Sequence, residues 1–129
     1  MLQPKCNVLL HIRVLIFIYM HSVFSVPPPS FSLDDISHIL RTEYSMEANV
    51  RELYSDRDQN FHVSNGEDDL ILKVSNPAEE RSVLEMQELA YEYIYERNPL
   101  IQIPRSVGRP CEIKKNGDRY LIRLLSFVP

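Results

Sequence analysis

The sequence predicts an α+β fold, in which a roughly five-stranded antiparallel sheet carries one packed helix and follows an N-terminal helix. Two segments, residues 33–41 and 78–97, have the apolar spacing of helices, and five short segments have strand character. Asn-Gly pairs at 65–66 and 116–117 are strong signals for tight turns between antiparallel strands. The predicted order is helix, three strands, helix and two strands.

The N-terminal helix has a start signal at Ser32. The Ser32 hydroxyl can cap the helix, and the Asp35 carboxylate can reach back to complete a capping box. Acidic residues in this first turn also suit the positive end of the helix dipole. The following apolar residues keep a helical spacing to about Arg41, at Leu33, Ile36, Ile39 and Leu40.

Three strands follow, at residues 50–54, 61–63 and 70–74, and six polar residues at 55–60 form the turn between the first two. The third strand is aliphatic except for Lys73. Such a run is typical of a strand buried on both faces, where an unpaired ammonium is costly. Lys73 therefore predicts an anionic partner, a carboxylate or a phosphate. The alternative is an edge strand whose lysine points to water.

The second helix, predicted over residues 78–97, has an apolar face opposite a row of glutamates that we interpret as a solvated surface. Gln87 is the exception among the polar residues, because it falls beside Val83 and Ile94. We therefore expect Gln87 to face inward if this helix packs over the strand of Lys73. The apolar face contains Val83, Met86, Leu89, Ala90, Tyr93 and Ile94, and the glutamate row contains Glu85, Glu88, Glu92 and Glu96.

The last third of the chain predicts an extended segment and a hairpin. Residues 101–107 run extended past Pro104, and residues 108–110 make a turn. Strands at 111–114 and 120–127 then pair across Asn116-Gly117. These two strands complete the predicted sheet.

Composition limits the class of protein. The chain has 129 residues, enough for one domain with a modest core, and its 44% apolar and 25% charged residues are ordinary for a globular protein. A net charge of −4 gives no basic field for nucleic acid or an anionic membrane. The two cysteines, Cys6 and Cys111, lie far apart and predict free buried thiols rather than a metal site or a disulfide framework.

Residues 1–30 differ from the rest as a hydrophobic leader followed by a proline-rich spacer. His11, Arg13 and His21 interrupt the leader, so we expect no stable membrane span, which needs about 20 apolar residues. Lys5 and Arg13 before an apolar core at 14–20 and a small-residue pattern at 23–25 favour a signal peptide. The alternative is a gene model that begins too far upstream. The stiff prolines at 27–29 mark a boundary, and the domain is expected at 31–129.

Four blocks of the predicted domain resemble the hydroxylysine kinases, a branch of the aminoglycoside phosphotransferase-like kinase family. They are residues 55–63, 70–76, 84–87 and 120–127, which read SDRDQNFHV, LILKVSN, LEMQ and YLIRLLSF. The resemblance covers residues 31–129. It implies the small, N-terminal lobe of a protein-kinase-like fold, in which the elements have the order predicted above.

The resemblance implies a nucleotide site around the third strand. Lys73 resembles the lysine that meets the α and β phosphates of the nucleotide. Residues 55–60 resemble the turn that covers those phosphates, but this turn contains no glycine. Its contribution to the site would come from Ser55, Asp58, Gln59 and Asn60, with Ser55, Gln59 and Asn60 offering hydrogen-bond donors instead of a glycine-rich loop.

The same resemblance implies two further parts of the site. The helix of such a lobe supplies a glutamate that pairs with the lysine. Glu85 and Glu88 are near in sequence, but Gln87 turns inward, so we predict that Gln87 holds the partner position through a neutral hydrogen bond. Residues 125–128, which include Leu125 and Phe127, resemble the hinge that binds the nucleotide base through backbone groups.

The implied cofactor is GTP or ATP with Mg²⁺, and the implied substrate of the complete protein is a small amine or amino acid that is phosphorylated on a hydroxyl. The location that goes with this function is cytoplasmic. The chain has no His-x-Asp catalytic loop and no Asp-Phe-Gly metal motif, which such kinases carry on the large lobe. We therefore expect a fragment that is inactive alone. The alternatives are a short binding module without catalytic activity and a secreted product released after residue 25.

Overall fold

The computed structural model of the protein describes residues 11–17 and 25–129, and these residues have the predicted α+β architecture. The strands are β1 (Asn49–Leu53), β2 (Gln59–Ser64), β3 (Asp69–Val74), β4 (Cys111–Lys115) and β5 (Asp118–Ser126). They form one antiparallel sheet in the order β1-β2-β3-β5-β4. Helix α1 (Leu33–Tyr44) precedes the sheet, helix α2 (Arg81–Arg97) connects β3 to β4, and residues 11–17 are also helical.

Helix α1 begins as predicted. The Ser32 hydroxyl accepts a hydrogen bond from the Asp35 backbone N–H at 3.1 Å, and Asp35 Oδ2 accepts one from the Ser32 N–H at 2.9 Å. This reciprocal pair is the predicted capping box. The helix runs to Tyr44, three residues beyond the predicted end. Its inner face buries Ile36, Ile39 and Leu40 in the core, where they join Phe61, Val63, Leu70, Leu72, Val74, Ile122 and Leu124 from the sheet.

Both predicted Asn-Gly turns are present. Asn116 and Gly117 have φ angles of 51° and 85°, the left-handed conformation that a two-residue hairpin turn of type I′ requires at both positions. In the other turn, the Asn65 side chain accepts hydrogen bonds from the backbone N–H groups of Glu67 and Asp68. These contacts determine the register of β2 with β3 and of β4 with β5.

Helix α2 begins at Arg81, three residues later than predicted. Asn76 explains the difference, because it accepts hydrogen bonds from the N–H groups of Ala78 and Glu79 and so closes a turn there. Only Leu84 is buried in α2, and the predicted inner face is largely wrong. Met86, Leu89 and Tyr93 are 62, 68 and 56% exposed.

Residues of the proline-rich spacer contact the predicted domain, whose boundary at residue 31 stays a prediction. The Asn76 side-chain amide donates to the carbonyl oxygens of Val26 and Pro27, each at 3.3 Å. Phe31 is buried, and its backbone exchanges two hydrogen bonds with the Gln59 side chain, at 2.8 and 3.0 Å. We call residues 26–31 the N-terminal strap.

The predicted signal peptide lies largely outside the described residues, as do Lys5 and Cys6. No helix within residues 11–17 and 25–129 is long and apolar enough to cross a membrane. Cys111 is a free, half-buried thiol, as predicted. Burial raises the pKa of the Cys111 thiol, which lowers its thiolate fraction and disfavours a role as a nucleophile.

Candidate functional site

Lys73 lies on the face of the sheet opposite α1. Leu72 and Val74 point into the core, and strand alternation therefore places Lys73 on the other face. Its cross-strand neighbours are Asn60 on β2 and Arg123 on β5. Strand β3 lies between β2 and β5, so the alternative of an edge-strand lysine is excluded.

A cleft of about 350 Å³ opens beside Lys73, under the turn between β1 and β2. The residues that line it come from the turn, from β2 and from β3. Four of them were predicted as site residues, namely Ser55, Asp58, Asn60 and Lys73, and the other two are Asp56 and Arg57. The structure thus brings together the Lys73 ammonium and the Ser55 hydroxyl, which can donate hydrogen bonds to phosphate oxygens.

The ion-pair partner of Lys73 is Asp58. The Lys73 Nζ lies 2.9 Å from Asp58 Oδ2, and the two side chains are 30% and 14% exposed. The sequence argument for an anionic partner is confirmed, and the partner is a carboxylate. The prediction that Gln87 holds the partner position is wrong, because the turn provides the anion and the helix does not.

Asp58 is itself held by Asn76. Its other oxygen, Oδ1, accepts a hydrogen bond from the Asn76 backbone N–H at 2.9 Å. The buried Asn76 side chain also donates to the Arg57 carbonyl oxygen at 3.1 Å, which fastens the turn to the end of β3. Asn76 connects the turn, the strand and the N-terminal strap, a role that its sequence position after a strand did not reveal.

Asn60 is one of the residues that line the cleft. Its Nδ2 donates to the Ser55 hydroxyl at 3.1 Å, whereas its buried Oδ1 has no hydrogen-bond partner among the described residues. A buried carbonyl oxygen without a hydrogen-bond partner is uncommon. The Asn60 donor is used by Ser55, and its oxygen is buried, so neither amide group is presented to a ligand in this structure.

Gln59 lies on the opposite side of the sheet from the cleft. It belongs to β2 rather than to the turn, and the alternation of that strand turns it toward the core. Its side chain binds the Phe31 backbone and also donates to Glu52 Oε1 at 2.8 Å. These contacts occupy the amide, so Gln59 supports the N-terminal strap and does not line the cleft.

The helix glutamate pairs with Arg123 instead of Lys73. Arg123 is only 2% exposed, and its Nη1 lies 3.3 Å from Glu88 Oε1 while Nη2 lies 3.5 Å from Gln87 Oε1. Gln87 faces inward as predicted. Glu88 was assigned to the solvated row, but it also faces inward, and its carboxylate accepts a hydrogen bond from the Ser106 hydroxyl. Glu85 binds Arg81 on the surface at 3.0 Å. Arg123, like Lys73, is a single cation in an aliphatic run, so the signal that identified Lys73 could also have identified Arg123.

Within the predicted hinge, Phe127 lines a separate cleft of about 280 Å³, whereas Leu125 does not line it. Two of the hinge backbone donors are engaged by the chain itself. The Ser126 N–H donates to the Arg105 carbonyl at 2.8 Å, and the Phe127 N–H donates to the Asp69 carbonyl at 3.2 Å. Leu125 is buried and pairs with Ile71. A nucleotide base would therefore have to displace the Arg105 carbonyl to use the Ser126 N–H and the Asp69 carbonyl to use the Phe127 N–H.

Within the described residues, no group of three or more His, Cys, Asp or Glu side chains could hold a metal ion. No family model, curated protein or solved structure matches the chain. The site is a cleft beside Lys73, under the turn between β1 and β2. It contains the Asp58 carboxylate, which is paired with Lys73, and the Asn60 Oδ1 atom, which has no hydrogen-bond partner among the described residues.

Proposed function

We propose that the chain is the nucleotide-binding small lobe of a small-molecule kinase of the aminoglycoside phosphotransferase-like family, resembling the hydroxylysine kinases. In the complete protein, GTP or ATP with Mg²⁺ would donate a phosphoryl group to a hydroxyl of an amino-acid-like substrate. The location that accompanies this function is cytoplasmic. The secreted alternative predicts a mature N-terminus at Val26, which N-terminal sequencing of the protein from cells would detect.

The observation that supports this proposal best is the cleft shared by Lys73, Ser55 and Asn60. In protein kinases a third-strand lysine contacts the nucleotide phosphates beneath the turn that joins the first two strands. Here the lysine stands on β3 and the turn that covers it joins β1 to β2. The order of elements, with a helix between β3 and β4, agrees with the same proposal.

Lys73 would meet the phosphates, and Ser55 would donate a hydrogen bond to them. Within residues 11–17 and 25–129, no group of three or more His, Cys, Asp or Glu side chains could hold a metal ion, so the proposal assigns no resident Mg²⁺ to these side chains. In this proposal the divalent ion enters as part of the nucleotide complex. Orientation of the substrate hydroxyl would require residues other than those of the cleft.

Nucleotide binding by the full 129-residue chain tests the proposal. We expect saturable binding of fluorescent GTP or ATP analogues with Mg²⁺, and we expect Lys73→Met to weaken it at least about tenfold, roughly 1.4 kcal/mol. Lys114→Met is the matched control, because Lys114 is an exposed lysine of the same sheet. Absence of binding by the unaltered chain, or equal losses in the two variants, would contradict the proposal.

A binding module without catalytic activity is the second candidate. Its support is the exposed apolar stripe of α2, where Met86, Leu89 and Tyr93 follow one another at helical spacing. Such a stripe marks a surface that another protein surface can cover. A chain that binds no nucleotide but associates through this stripe, with Leu89→Asp abolishing association, would favour the module over the kinase lobe.

A further inference from the structure

The ammonium that the proposed function assigns to phosphate is already paired in this structure. Asp58 Oδ2 lies 2.9 Å from Lys73 Nζ, and Asp58 is the more buried partner. Its second oxygen is engaged by the Asn76 N–H, and Asn76 also holds the turn through the Arg57 carbonyl. The carboxylate is therefore attached to the fold at two points, and a ligand that reaches Lys73 meets Asp58 as well.

The formal charges around the cleft do not favour a bare anion. Asp56 and Asp58 balance Arg57 and Lys73 among the lining residues, and the Arg57 guanidinium lies 3.7 Å from the buried Glu79 carboxylate. A phosphate group held by Lys73 would stand within a few ångströms of the Asp58 carboxylate. Like charges at such separations in a partly buried site repel strongly. A cation that travels with the phosphate would remove this repulsion.

We propose that Asp58 determines which charge state of the ligand the cleft accepts, favouring a polyphosphate complexed with a divalent cation over the bare polyanion. This inference rests on the proposed nucleotide-binding function. Asp58 is thus a specificity-determining residue that acts on the ligand through charge and on Lys73 through direct contact. It also replaces the helix glutamate as the partner that orients the lysine.

The test measures ATP affinity of the full chain twice, once with excess Mg²⁺ and once with EDTA. The unaltered chain is expected to bind the Mg²⁺ complex more tightly. Asp58→Asn keeps an acceptor for the Asn76 N–H but removes the charge. We expect it to tighten binding of metal-free ATP and to lower the ratio of the two affinities at least about tenfold, a change of roughly 1.4 kcal/mol.

Asp56→Asn is the matched control. It removes the same charge from the same cleft, but Asp56 is bonded to the Tyr54 hydroxyl at 2.6 Å and does not touch Lys73. We expect it to change the affinity ratio at most about threefold, because the separation is greater and the side chain is more exposed. Asp58→Glu, which retains the charge, is expected to keep the preference for the complex.

Three outcomes would overturn the inference. They are an unchanged ratio in Asp58→Asn, an equal fall in Asp56→Asn, and weaker binding of both forms of ATP, which would limit Asp58 to positioning the lysine. Failure of the unaltered chain to bind either form would overturn the proposed function itself, and this inference with it. Thermal unfolding checks that each variant is folded, and Asp58→Ser replaces Asp58→Asn if the latter is not.

Discussion

Helices α1 and α2 contact opposite faces of one sheet through different chemistry. Helix α1 has a complete capping box and buries Ile36, Ile39 and Leu40 in the core. Helix α2 has no side-chain cap, buries only Leu84, and reaches the sheet through Glu88 and Gln87 on the buried Arg123. Apolar burial holds the first helix, and a directional polar network holds the second.

The difference bears on which face of the sheet can change its contacts. An apolar interface is stabilised by area and by close packing, so displacement of α1 would expose the core to water. The contacts of α2 are a few hydrogen bonds and an ion pair, whose individual net contributions are smaller. The candidate cleft lies on the face of α2, where the packing is loose and the polar groups are concentrated.

The largest expected effect comes from the core contact of α1. Ile36 is fully buried, so Ile36→Ala removes apolar contacts and leaves a cavity, and we expect a loss of about 3 kcal/mol in the free energy of unfolding. Leu89→Ala in α2 is the control, with an expected change within about 0.5 kcal/mol because Leu89 is largely exposed. Urea denaturation measures both. Similar losses would show that the two helices are packed alike.

A smaller effect is expected from the polar attachment of α2. Glu88→Ala leaves the buried Arg123 without its carboxylate, and we expect a loss of about 2 kcal/mol, moderated by the partial exposure of Glu88. Glu96→Ala, on the exposed side of the same helix, should change stability little. Denaturation curves that coincide for these two variants would rule out a structural role for the Arg123 ion pair.

The smallest expected effect is a pH dependence at the α1 cap. The hydrogen bond from Lys115, followed by that from the Ser32 backbone, lowers the pKa of Asp35 below its ordinary value of 3.8. A carboxyl with a lowered pKa in the folded state stabilises the protein above pH 3.8, and this contribution is lost as the pH falls toward the folded-state pKa. The stability difference between the unaltered chain and Asp35→Asn should therefore narrow between pH 6 and pH 3. A stability difference that stays constant over this pH range would contradict the prediction.

The elements that the sequence predicts well are those whose signals are local. Ser32 with Asp35 specifies a helix start within four residues, and Asn116-Gly117 specifies a turn within two. The third strand was placed within one residue by its aliphatic run. The need of Lys73 for an anion also followed from the sequence, because an unpaired buried ammonium is costly whichever residue provides the anion.

The identity of each partner was not predictable, because it depends on contacts between distant segments. The prediction for α2 assumed that its apolar face packs against the sheet. The sheet instead presents Arg123 to this helix, and the Glu88 and Gln87 side chains turn toward Arg123. Gln59 was assigned to the turn because strand β2 begins two residues earlier than its apolar residues indicate. Asn76 gave a signal for a strand end only, and its six hydrogen-bond partners come from both directions along the chain.

The contacts of the N-terminal strap also predict an order of assembly. Its contacts with Gln59 and Asn76 join residues 28 to 50 positions apart, and the groups that receive it come together only when β2 has paired with β3. Closing such loops costs entropy that local pairing must first offset. The strap is synthesised before the strands that receive it, and we therefore expect it to dock after they have paired. The Asn76 side-chain amide, which also holds the turn through the Arg57 carbonyl, would acquire its hydrogen bonds to Val26 and Pro27 only at that step.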